Sequence, residues 1–247
     1  ILLADYENFT RFGSITPFLQ IGGDISAKEG WRIAVSMIYG YTKDREQAWK
    51  IMEKLGLCSE QESKVQFTMA DRKLNAVVST SVGRLFDAVS AILGIRRQSS
   101  FEGEASMALE FAAEAYEQQN IIQGRDEKPD RLVYEKEERF ILNTRMLVQQ
   151  IVEEKMQGAD SGRLAYLFHQ VLAEQITAAC IEARSNSGRK KVALSGGVFQ
   201  NRLLLRLTEE QLEQEGFEVL RHHMIPPNDG GIAIGQAAYG LWRLNNH

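Results

Sequence analysis

Cysteine and proline are scarce in this chain of 247 residues, with two of the first and four of the second. Cys58 and Cys180 stand far apart without Cys-x-x-Cys spacing, so neither a disulfide framework nor a cysteine zinc site is indicated, and a reducing compartment is expected. No apolar run reaches the roughly 18 to 20 residues that cross a bilayer. The opening, from Ile1 to Phe9, lacks the basic flank and cleavage site of a signal peptide, so the cytoplasm is the expected location and a membrane is not an expected partner. A dominant charge is also missing: the formal net charge is only -4, which gives no basic field for nucleic acid. The basic run Arg189, Lys190, Lys191 lacks the interleaved aromatics of a nucleic-acid surface and suits a solvated turn.

What is present is ordinary globular chemistry, with 44% apolar and 25% charged residues, enough for one large domain or two small ones. The chain opens on an apolar run without an initiator methionine, and is expected to be a piece of a longer polypeptide. Over residues 1–18 two β-like runs flank the polar Asp5, Glu7 and Asn8, which predicts a hairpin. Periodicity predicts helices over 27–41, with Trp31, Ala34, Val35 and Ile38 on one stripe, and over 45–55, 82–93 and 105–119. Residues 120–131 suit a loop, and long helices are expected over 135–156 and 163–184. The last quarter alternates: a strand over 191–194, a turn at Ser195, Gly196 and Gly197, a helix over 199–215, a strand over 217–220, a loop holding Pro226 and Pro227, and a final helix to Leu244. Such alternation predicts neighbouring parallel strands with loops at their carboxyl ends.

Three places can carry chemistry. Gly196 and Gly197 follow an apolar strand and precede a helix, where backbone N–H groups can approach an anion; a purely structural turn is the competing account. Asn201, one turn into the expected helix, offers an amide to the same ligand or is simply solvated. Asp229 lies on the same rim, where a carboxylate can ligate a cation that clamps phosphate, or can cap the following helix, or both. Gly83, Arg84 and Asp87 fall within one helical turn, so acid and cation can face one ligand, or form only a surface ion pair. Glu102 and Gly103 follow the same helix and offer a carboxylate and a flexible backbone, or an ordinary helix start. His222 and His223 are adjacent and diverge on an extended segment, and His169 lies in a long amphipathic helix, so all three are expected to be structural.

These segments occur in a familiar order. Gly22, Gly23 and Asp24 with Trp31 and Arg32, the run from Thr80 to Ala88, the run from Ser100 to Ala105, the run from Ser195 to Asn201 and the run from Pro226 to Gly231 together resemble the carboxy-terminal part of HypF-type carbamoyltransferases. The resemblance covers nearly the whole chain. It implies an α/β fold, the helix-rich lobe of an actin-like ATPase with a mixed sheet flanked by helices, shared with the tRNA-modifying TsaD and the antibiotic carbamoyltransferase TobZ. One lobe over 1–247 is expected.

By the same resemblance, Gly196, Gly197 and Asn201 contact an adenylate, while Gly83, Arg84, Asp87, Glu102 and Gly103 hold its adenosine. Asp229 becomes a ligand of a divalent metal, whether iron, zinc or magnesium. The implied reaction moves a carbamoyl group from carbamoyl-adenylate, made from carbamoyl phosphate and ATP, to the carboxy-terminal cysteine of a HypE-like protein. Gly196, Asp229 and Asp87 are expected to border one cavity. The family's upstream histidine pair and its other domains are absent from this sequence, so the chain is expected to retain one metal ligand and to be inactive alone. The alternatives are a TsaD-like tRNA modifier, disfavoured by the wording of the motifs and the acidic charge, a TobZ-like small-molecule carbamoyltransferase, and a noncatalytic docking module built on the helices of 27–55 and 135–184.

Overall fold

The computed structural model describes residues 1–123, 135–136 and 140–246. Strands β1 (Leu2–Ala4) and β2 (Phe9–Arg11) form the expected antiparallel hairpin, with Leu2 opposite Arg11. Asp5 shapes its turn, its Oδ1 accepting from the amides of Glu7 and Asn8 at 3.0 and 2.8 Å. Strands β3 (Gly13–Ile15) and β4 (Phe18–Ile21) follow. Next come α1 (Gly30–Thr42), α2 (Arg45–Lys54), α3 (Glu60–Asp71), β5 (Ala76–Ser79), α4 (Val82–Ile92) and α5 (Glu104–Gln123). The remainder is β6 (Glu135–Lys136), β7 (Phe140–Leu142), α6 (Thr144–Met156), α7 (Ser161–Ser187), β8 (Lys191–Leu194), α8 (Arg202–Gln214), β9 (Glu218–Arg221) and α9 (Ile232–Asn246). Among the described residues the sheets are small: β1-β2, β3-β7-β6, β4-β5 and β8-β9. The pairing is mixed, since β4-β5 is antiparallel and β8-β9 parallel.

The chain divides into two compact units, one of Ile1–Ser14, Glu135–Leu142 and Ala173–His247, the other of Ile15–Tyr134 and Asn143–Leu172. In the second, the predicted stripe of α1 is buried, with Trp31, Ala34, Val35 and Ile38 all between 0% and 2% exposed. Facing it, α4 buries Leu85, Phe86, Ala88 and Val89. Each large side chain removed from water here contributes about 2 to 3 kcal/mol. Phe86 also meets Phe168 edge to face at 4.8 Å, and His169 at 5.2 Å. His169 is a core residue, its Nδ1 lying 2.7 Å from the Ala165 carbonyl, and burial pulls its pKa down to about 4, so it stays neutral.

One expectation fails for a physical reason. The continuous helix over 135–156 is replaced by β6, β7 and a later start of α6. Phe140, Ile141 and Leu142 suit a strand, and Gly13 lets the neighbouring backbone close on them, since a Cβ on Gly13 would lie 2.5 Å from the Phe140 carbonyl oxygen. Asn143 then caps α6, its Oδ1 accepting from the Met146 amide at 3.2 Å. Residues 120–123 of the expected loop belong to α5, and 124–131 lie outside the described residues.

Helix α3 and strand β5 were not anticipated, although α3 carries a sequence signal. Ser59 and Glu62 form a capping box, with the Ser59 amide donating to the Glu62 carboxylate at 2.8 Å and the Glu62 amide to Ser59 Oγ at 3.2 Å. Ser59→Ala is therefore expected to cost about 1 kcal/mol in urea denaturation. An unchanged midpoint would remove the box from the account of α3.

Candidate nucleotide-binding residues

Strands β8 and β9 pair in parallel from Lys191 with Glu218 to Leu194 with Arg221, so the loops leaving their carboxyl ends share one edge. Cys180, Leu194, Leu212 and Phe217 form the buried cluster beneath. After Leu194 the chain turns at Gly196, whose φ of +101° is a conformation that L side chains rarely adopt. A short 3₁₀ turn, Gly197–Gln200, follows, and α8 begins only at Arg202, not at 199. The cause is Asn201, which caps α8 by accepting the Leu204 amide on Oδ1 at 2.7 Å. Asn201 is thus a buried cap, neither a solvated residue nor one turn inside the helix.

The second loop is tied to the first. The Gly196 amide donates to the Pro227 carbonyl at 2.8 Å, which consumes that donor and fixes the turn against the loop of Asn228 and Asp229. The amides of Gly197 and Val198, at the start of the 3₁₀ turn, carry no hydrogen bond among the described residues. Asn228, not Asp229, caps the turn that leads into α9, its Oδ1 accepting from the Gly230 amide at 3.1 Å. The exposed Asp229 carboxylate is left without a hydrogen bond or ion pair among the described residues. Capping therefore does not account for Asp229. His222 closes the same edge, with Nε2 3.0 Å from Ser195 Oγ, a contact that sequence reasoning missed. Among the described residues no three His, Cys, Asp or Glu side chains come together as a metal site.

In the other unit, α4 starts at the cap Ser81, whose Oγ accepts from the Arg84 amide at 3.4 Å. Gly30, at the start of α1, was not singled out from sequence, yet a Cβ there would lie 2.5 Å from the Asp87 carbonyl oxygen. This close approach covers Asp87, which is 6% exposed. Arg84 Nη1 lies 2.9 Å from Asp87 Oδ2 and donates to the Ala27 carbonyl at 2.6 Å. Arg84 and Asp87 therefore engage each other, as a largely sheltered pair and not a solvated one. Burial pushes the Asp87 carboxyl up to about 6, against the pull of Arg84.

Gly83 lies at the start of α4 with only ordinary space around it, since an added Cβ would come no nearer than 3.9 Å to Ser81 Oγ. Gly103 has a φ of +82°, while Glu102 is exposed. The anchoring carboxylate is Glu104, which accepts from the Ser100 amide at 2.5 Å and lies 3.3 Å from Arg96. Cys58 and Cys180 are both pushed up to about 11 by burial, so neither is a thiolate near neutral pH.

The elevated pKa of Asp87 fixes a sign. Its folded-state value, about 6, lies above the ordinary 3.8, so the stability this group contributes is complete below pH 3.8 and is lost as pH rises through 6. The wild-type urea midpoint is expected to fall across that window relative to Asp87→Asn, with a carboxyl NMR titration centred near 6. A titration near 4 would show that Asp87 is not desolvated.

The family model described as "Carbamoyltransferase, Kae1-like Domain, second subdomain" matches residues 1–236. The carbamoyltransferase HypF of Rhodobacter capsulatus is 31% identical over 248 residues, covering 100% of this chain and 30% of the relative. The probable carbamoyltransferase HypF of Methanocaldococcus jannaschii is 28% identical over 236 residues, covering 96% of this chain and 29% of the relative. The chain thus spans less than a third of the length of these two relatives. A crystal structure of full-length HypF in its phosphate- and nucleotide-bound form superimposes with a TM-score of 0.83 at 31% identity, over 97% of this chain and 30% of that one. The α/β architecture is thus that of HypF, and the chain belongs to the HypF carbamoyltransferase family, matching the second subdomain of its Kae1-like domain.

Proposed function

We propose that this chain supplies part of the site at which a carbamoyl group passes from carbamoyl-adenylate to the carboxy-terminal cysteine thiolate of a HypE-like partner, in making the cyanide ligands of nickel-iron hydrogenases. The observation that carries it is one edge bearing the unengaged amides of Gly197 and Val198 beside the unengaged Asp229 carboxylate, fixed by the Gly196 to Pro227 hydrogen bond. Amide donors at the start of a helical turn suit phosphate oxygens, and a neighbouring carboxylate suits a cation bound to the same phosphate. Nucleotide in the 31% identical HypF structure supports the same assignment.

Each residue has a role in that account. Gly197 and Val198 donate to the phosphate, and Gly196 and Asn201 hold the loop in shape. Asp87, ionised at neutral pH, accepts from ribose hydroxyls, with Arg84 keeping it ionised and Gly83, Glu102 and Gly103 completing the adenosine contacts. Asp229 alone matches the donor set of magnesium, which keeps waters and phosphate oxygens as its other ligands. Zinc or iron there would need further ligands from outside the described residues. When bound, a divalent cation would draw negative charge from the departing phosphate. In the transfer, the thiolate sulfur bonds to the carbamoyl carbon, the bond from that carbon to the phosphate oxygen breaks, and AMP leaves with the electron pair. The work of this chain is to bind, orient and stabilise the leaving group. The nucleophile comes from the partner, since both thiols here stay protonated. Alone, the chain binds nucleotide without turnover.

Calorimetric titration with adenylyl imidodiphosphate and magnesium tests this. Saturable binding is expected, weakened about tenfold by Asp87→Asn and by Asp229→Asn, with the magnesium dependence lost in the second. Gly197→Ala, whose methyl would meet Asn228 Cβ at 3.9 Å and Gln200 Oε1 at 4.0 Å, both ordinary contacts, should fold normally and still bind more weakly. No heat with the nucleotide, but heat with a HypE-like protein, would support a docking module instead.

A further inference from the structure

A cavity lies within the unit of Ile15–Tyr134 and Asn143–Leu172, lined by none of the residues assigned to the nucleotide. Its volume is about 520 Å³, within the range of small-molecule sites. Phe18, Leu19, Met37, Tyr41, Val78 and Val148 give it apolar walls. It sits at the carboxyl end of α1, with Gly40 roughly 15 Å along the helix from Gly30.

The polar groups of this cavity divide into spent and unspent. Asp71 is neutralised by Arg45 and accepts from Tyr39 Oη at 2.8 Å, and Ser36 donates to the Leu19 carbonyl. Lys43 and Arg145, both exposed, have no ion pair or side-chain hydrogen bond among the described residues. Thr144 is 0% exposed, and its hydroxyl has no hydrogen-bond partner among the described residues. It has no capping duty either, because Asn143 caps α6. Thr144 and Arg145 are also the first two residues of α6, where backbone amides have no partner inside the helix. The buried Tyr41 hydroxyl likewise has no partner among the described residues. Among the described residues the only acid lining the cavity, Asp71, is already paired, so the uncommitted charge there is cationic.

Apolar walls, two spare cations, a helix amino terminus and a buried hydroxyl without a partner are complementary to one ligand chemistry. We propose that this cavity binds a small organic anion, a carboxylate on an aromatic or branched apolar body, with the carboxylate at Thr144, Arg145 and Lys43 and the body against Phe18, Met37 and Val148. The proposal is independent of the nucleotide assignment.

The test uses 4-phenylbutyrate as probe, followed by amide NMR shifts of the chain. Saturable binding is expected with a dissociation constant of roughly 1 mM, moving the resonances of Gly40, Tyr41, Thr144 and Val148. The uncharged 4-phenylbutan-1-ol, and 4-phenylbutyrate with the double variant Lys43→Gln, Arg145→Gln, should each bind about tenfold more weakly. Gly40→Phe should abolish binding by filling the cavity, since a Cβ on Gly40 meets nothing within 4 Å. Asp87→Asn should leave probe binding unchanged, which separates this site from the nucleotide residues. Equal affinity for acid and alcohol, shifts outside the cavity, undiminished binding by Gly40→Phe, or no saturation would each overturn the proposal.

Discussion

One backbone hydrogen bond, from the Gly196 amide to the Pro227 carbonyl, sets the geometry on which the nucleotide assignment rests. Parallel pairing of β8 and β9 brings two loops to the same edge, but pairing alone leaves their tips free to move apart. The bond closes that freedom. Its further effect is selective: it satisfies Gly196 and leaves Gly197 and Val198 as the donors that can face an anion. Asn228 acts in the same way on the other loop, taking the cap and leaving the Asp229 carboxylate unengaged. Gly231 lets that loop fold tightly, because a Cβ there would lie 2.6 Å from the Pro226 carbonyl oxygen.

In the other unit a missing side chain does comparable work. Gly30 allows α1 to lie directly on the backbone of Asp87, and the resulting desolvation raises the carboxyl to about 6. Arg84 counters this, so the group is ionised at neutral pH yet sheltered from water. Such a carboxylate makes stronger hydrogen bonds to hydroxyl groups than a solvated one. The same desolvation raises the two cysteines without a neighbouring cation strong enough to offset it, so the thiols stay protonated and are removed as nucleophiles.

Much of this was legible in the sequence, and the exceptions share a cause. The stripe of α1, the opening hairpin and the parallel β8-β9 pair followed from periodicity and turn residues that act locally. The helix expected over 135–156 failed because the strand at Phe140 depends on a close approach by Gly13, far away in sequence. Helix α3 was readable from Ser59 and Glu62, whose spacing is a helix-start signal. At the candidate site, the motifs named candidate residues but not the hydrogen bonds that divide the work among them. Which of Asn228 and Asp229 caps, and which of Gly196 and Gly197 keeps a spare amide, is decided by contacts between loops.

The most direct measurement is an amide NMR titration of the chain with an ATP analogue and magnesium, following Gly196, Gly197 and Val198 together. The account predicts large downfield shifts and slowed exchange at Gly197 and Val198, with Gly196 little changed because its proton is already held by Pro227. Nucleotide binding that leaves Gly197 and Val198 unmoved would contradict it.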